Sequence, residues 1–203
     1  TAYEEVWDVT ETGASVANNV IGGKGGNGMF RFDTETMSGV TVSASFDSTA
    51  ETGSVSSYSD MGILIAPEMV EGLSIGYAVG EYEESAAIGD IDVSTMWVKY
   101  AYGSFTVSYQ ESEEDANTAA NSNDSEEWGI SYAVNDDFSI SYGQHEYNDG
   151  TDDASDMQES EGFSASYTMA GTTIAASFNE TDNADSDTSE DTEGFEINVS
   201  FAF

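Results

Sequence analysis

A chain of 203 residues is long enough for one sizeable core, and its 40 acidic residues against three basic ones give a formal net charge of -37, which excludes partners built on phosphate backbones. Cysteine is absent, so neither disulfides nor thiolate metal sites are available. No run of about 18 apolar residues offers a membrane helix, a test that membrane-crossing β-strands escape.

Residues 1–28, TAYEEVWDVTETGASVANNVIGGKGGNG, do not alternate and read as one long loop segment. The glycines of GGKGGNG (22–28) lack the spacing and following helix of a phosphate loop, and more plainly allow a sharp turn. From residue 29 onward, 29–203 reads as a single all-β domain. The 11 Tyr, 10 Phe and 3 Trp residues argue against disorder, because they fall in ordered pulses.

Scored for period 2, that region resolves into strands in chain order. Phe30 and Phe32 mark the first, Val40, Val42, Ala44 and Phe46 the second, and Met61, Ile63 and Ile65 the third. Leu73, Ile75, Tyr77 and Val79 follow, then Met96, Val98, Tyr100 and Tyr102, then Phe105, Val107 and Tyr109. Trp128 to Val134, Phe138 to Tyr142, Phe163 to Met169, Ile174 to Phe178 and Phe195 to Phe203 complete eleven segments.

Their connectors alternate. Short turns fall at 37–39, 67–72, 103–104, 135–137 and 170–171, and long acidic excursions at 47–56, 80–91, 111–125, 146–161 and 180–193. This is the asymmetry of a transmembrane antiparallel β-barrel, with turns on one side of the membrane and loops on the other. The second face of each strand is small and polar, as in Thr41, Ser43 and Ser45, or Thr106, Ser108 and Gln110, which suits a water-filled lumen. A soluble sandwich would show the same alternation but needs a second apolar layer to cover the first. Eleven is an odd number where single-chain bacterial barrels use even ones, so the expectation is about 11 strands of a sixteen-stranded barrel, with further strands preceding residue 1.

GLSIGYAVGEYEE (72–84), STMWVKYAYGSFTVSYQES (94–112), EEWGISYAVNDDFSISYGQHEYND (126–149), EGFSASYTMAGTTIAASFNETD (161–182) and the ending GFEINVSFAF resemble the C-terminal two-thirds of a Gram-negative general porin. The resemblance implies a sixteen-stranded outer-membrane barrel that forms homotrimers. It also implies that the terminal alternation ending in Phe203 is the signal read by the barrel-assembly machinery, and that 1–28 is the third loop, folded inward to narrow the pore. In that family an arginine cluster faces the loop's carboxylates; this sequence departs from the pattern, with only Lys24, Arg31 and Lys99 available.

On this reading the pore-lining or constriction residues are Glu4, Glu5, Asp8, Glu11, Lys24, Arg31, Asp33, Glu35 and Lys99. Arg31 would pair with Glu4, Glu5, Asp8 or Glu11, or else only anchor the loop. Lys99 is lumenal if Val98, Tyr100 and Tyr102 face lipid; the competing alternation of Val93, Thr95 and Trp97 would reverse it. DNADSDTSED (182–191) and NDGTDDASD (148–156) offer loose Ca²⁺ or Mg²⁺ counterion binding without the spacing of a dedicated site. No cofactor, metal centre or catalytic residue is expected: His145 stands without a second histidine or thiol, and no nucleophile motif occurs.

The function implied is passive diffusion of ions and small hydrophilic solutes through a cation-preferring acidic channel in contact with outer-membrane lipid. The alternative is a non-transporting acidic surface or adhesion protein whose apolar face packs within an assembly.

Overall fold

The computed structural model describes residues 21, 29–47, 57–83, 89–116, 122–150, 157–184 and 191–201. They form one antiparallel sheet of 11 strands in sequential order. The strands are β1 (Phe30–Asp33), β2 (Val40–Asp47), β3 (Ser57–Ile65), β4 (Leu73–Glu83), β5 (Ile91–Tyr102), β6 (Phe105–Asp115), β7 (Asn123–Ala133), β8 (Phe138–Asn148), β9 (Gln158–Met169), β10 (Thr172–Asp182) and β11 (Thr192–Phe201). All eleven alternating segments are strands. No helix among the described residues is long and apolar enough to cross a membrane.

Turn chemistry fixes the short connections. Ser38 and Gly39 have φ of 52° and 80°, and Ala170 and Gly171 have 50° and 80°, the paired positive values that match a two-residue hairpin turn to the right-handed twist of its strands. The long connections are shorter than the acidic composition implied. β4 runs on to Glu83, β6 to Asp115, β8 to Asn148 and β10 to Asp182, while β7, β9 and β11 begin at Asn123, Gln158 and Thr192. The expected excursions over 80–91, 111–125, 146–161 and 180–193 are therefore partly strand. The reason is that ladder hydrogen bonds continue where side chains turn polar, whereas hydrophobic period cannot register there.

Burial is inverted relative to a soluble sheet. The apolar face is the open one: Phe195, Ile197 and Phe201 are 67%, 60% and 60% exposed, and Trp128 is 37% exposed. The polar face is the covered one, with Gln110, Ser112, Ser125, Gln158, Ser160 and Thr181 all at 2% or less. Apolar side chains left open along a whole sheet face need an apolar covering, whether lipid or another protein surface. Among the described residues, the aromatic and aliphatic side chains that would form the core of a sandwich do not converge on a dry centre.

Along the apolar face the strands change character toward the long connections. Glu111, Glu126, Glu146 and Glu159 lie directly opposite one another across β6, β7, β8 and β9, and Glu159 opposes Asp182 of β10. The next row toward the short turns reads Tyr109, Trp128, Gln144, Glu161, Glu180 and Glu193. An apolar band thus gives way to a carboxylate belt on the same face.

Candidate functional site

The polar face is the place where aqueous chemistry is available, and register orders it into cross-strand rows. One row runs Trp97, Gln110, Glu127, His145, Ser160, Thr181. Beside it lies a row of small residues, Ser108, Gly129, Gly143, Gly162, Asn179 and Gly194, which leaves no side-chain bulk at its centre. Nearer the short turns, Thr106, Ser131, Ser139, Ser141, Ser164 and Ser166 line a recess of about 380 Å³. Ser141 Oγ and Ser164 Oγ are paired across it at 2.5 Å.

The two halves of this face differ. Toward the long connections its side chains are buried, including Asp47, Tyr58, Gln110, Glu127, His145 and Gln158, whereas toward the short turns Thr41, Ser74, Lys99, Ser139 and Thr173 are only half-buried. Hydrogen bonds knit the covered half. Thr95 Oγ1 pairs with Ser112 Oγ at 3.0 Å, Gln110 Nε2 donates to Ser112 Oγ at 3.4 Å, and Ser160 Oγ pairs with Thr181 Oγ1 at 2.9 Å. Ser125 Oγ donates to Glu127 Oε1 at 3.1 Å, and His145 Nε2 lies 3.4 Å from the same oxygen. His145, isolated in the sequence, thus faces a carboxylate. Counting equal steps outward from the 135–137 turn would have paired the two.

No protein-family model matches the chain, and no curated protein matches it in sequence. Solved structures do match. An anion-selective porin from Comamonas acidovorans superposes with a TM-score of 0.62 at 12% identity, covering 77% of this chain and 49% of that one. OmpT, an outer membrane protein of Vibrio cholerae, superposes with a TM-score of 0.56 at 13% identity, covering 84% of this chain and 62% of that one. The sheet has a porin fold. A NanC porin structure is also similar, with a TM-score of 0.49 at 11% identity over 87% of this chain and 98% of that one. The chain spans 49% and 62% of the lengths of the first two.

Within the porin fold the expected site residues take these places. Arg31 is on the polar face of β1, opposite Ser45, and its guanidinium grips Asp33 of its own strand: Nε lies 3.0 Å from Oδ1 and Nη2 2.9 Å from Oδ1. Asp33 Oδ1 also accepts from Ser43 Oγ at 2.6 Å. Glu35 lies beyond the end of β1 and is exposed. Lys99 shares the polar face of β5 with Val93, Thr95 and Trp97, opposite Ser74 and Ser108, while Met96 and Val98 are on the open face. The rival alternation of Val93 and Trp97 is therefore the covered set, and the Trp97 indole sits directly over Gly76, where a side chain would collide with it. Glu4, Glu5, Asp8, Glu11 and Lys24 lie outside the described residues. Among the described residues no group of three or more His, Asp or Glu is placed to hold a metal ion.

Proposed function

We propose that the chain belongs to an outer-membrane porin of a Gram-negative bacterium, a water-filled barrel through which ions and small hydrophilic solutes diffuse passively, with cations preferred. It is a conduit and not an enzyme. The observation that carries the reading is the inverted burial of a porin-fold sheet: open apolar side chains such as Phe195 and Ile197 meet lipid, and covered polar ones such as Gln110 and Ser160 meet the lumen.

Cation preference rests on charge. With a net charge of -37, the mouth and wall concentrate cations and repel anions, over a reach of about 8 Å at physiological ionic strength and farther in dilute salt. Arg31, Asp33, Glu35 and Lys99 line the wall, and Glu4, Glu5, Asp8, Glu11 and Lys24 belong to an inward-folded segment, 1–28, that narrows the pore. Two features support that segment's placement: Ile21 is 4% exposed, and the polar face is covered in the half nearest the long connections. The assembly is a homotrimer of sixteen-stranded barrels, seated in outer-membrane lipid.

The test is the zero-current potential of the full-length protein in a planar bilayer under a KCl gradient. A potential of the sign set by K⁺ permeation is expected. Anion preference would refute the charge argument, and absence of conductance would refute the pore and favour the surface-protein alternative.

A further inference from the structure

We propose that Glu127 anchors a binding site for a hard cation, of the alkali or alkaline-earth class, on the covered wall between β7 and β8. The inference rests on the porin reading, which makes that wall part of the lumen.

The Glu127 side chain is 4% exposed. Its Oε1 accepts from Ser125 and faces His145 Nε2 at 3.4 Å, whereas its Oε2 is buried with no hydrogen-bond partner among the described residues. Of the two described Lys and Arg side chains, Arg31 is held by Asp33 and Lys99 stands two strands away opposite Ser108, so neither neutralises Glu127. A buried carboxylate without a counter-charge is costly, and the oxygen that lacks a donor is the one at which a positive charge is missing.

The surroundings select what supplies that charge. Gln110 and Ser112 on β6, Ser125 on β7, and Gln158 and Ser160 on β9 are buried on the same face. These are amide and hydroxyl oxygens, the donor set of Na⁺, K⁺, Ca²⁺ and Mg²⁺. The adjacent row of Gly129, Gly143 and Gly162 carries no side chains, so that flank of the carboxylate offers no competing donor or charge. The Ser125 hydroxyl engages Oε1 and leaves Oε2 for the ion.

The experiment compares wild type, Glu127→Gln, Glu127→Asp and Glu126→Gln in the full-length protein in planar bilayers, reading the K⁺/Cl⁻ permeability ratio and the block of K⁺ current by added Ca²⁺. Glu126 is the control, one residue away on the exposed face. Glu127→Gln is expected to lower the permeability ratio by about three-fold or more and to relieve Ca²⁺ block, with Glu126→Gln unchanged. Glu127→Asp keeps the charge but withdraws it, so it retains cation preference while requiring more Ca²⁺ for block. A Glu127→Gln channel that conducts with wild-type ratio and block would overturn the site and assign Glu127 as a protonated acid. If that variant does not assemble, an unshifted Ca²⁺ block in Glu127→Asp overturns it equally. A wild-type protein that forms no channel overturns the porin reading, and this inference with it.

Discussion

Gly76 and Trp97 show how a single missing side chain positions the wall. They are direct partners across β4 and β5, and a Cβ at Gly76 would collide with the indole. Trp97 is thereby laid flat on the polar face at 6% exposure, an unusual place for the largest apolar side chain. Gly76→Ala is expected to cost about 1–3 kcal/mol, through displacement of the ring. A lowered denaturation midpoint with a shifted Trp97 emission would show it; unchanged stability would mean that the slot is not tight. The sequence alone left Trp97 ambiguous, because alternation along β5 is apolar on both faces, as Val93 and Trp97 stand against Met96 and Val98. The pairing of Glu127 with His145 was legible only from the hairpin register, since neither residue type marks a strand and no motif links them, so His145 read as isolated.

At the level of strands, alternation was a sufficient guide to existence and a poor one to extent. β6 was visible at Phe105, Val107 and Tyr109, and its continuation through Glu111, Glu113 and Asp115 was not, because carboxylates on both faces erase hydrophobic period while leaving the ladder intact. Those continuations bring like charges face to face: Glu126 opposes Glu111 on one side and Glu146 on the other. Directly opposed like charges are unfavourable, and salt screens them. The denaturation midpoint of the detergent-solubilised protein is therefore expected to rise with NaCl. Glu126→Gln is expected to add about 0.5 kcal/mol at low ionic strength and almost nothing at high. A midpoint indifferent to salt would mean that the belt is neutralised by other means.

Taken as a whole, the molecule is a sheet turned inside out, and that inversion was foreshadowed by connector alternation more than by composition. Ten connectors that alternate short and long place every turn at one end and every loop at the other, a constraint that a single soluble layer does not need. Composition pointed to charge but not to its location, since carboxylates proved to occupy strand faces as well as loops. From Phe195 to Phe201 the open apolar face of β11 rises about 15 Å for a strand at 3.3 Å per residue tilted about 40°. The carboxylate belt then begins at Glu193, Glu180 and Glu161, where, in the proposed membrane orientation, hydrocarbon would give way to headgroups.

The two tryptophans of the described sheet test this orientation. Trp128 is on the open face and Trp97 on the covered one, so single-tryptophan variants of the protein folded into vesicles report on opposite sides of the same wall. With bromine carried on the lipid acyl chains, fluorescence from Trp128 is expected to be strongly quenched and that from Trp97 left nearly unchanged; equal protection of both residues, or quenching of Trp97 alone, would contradict the account.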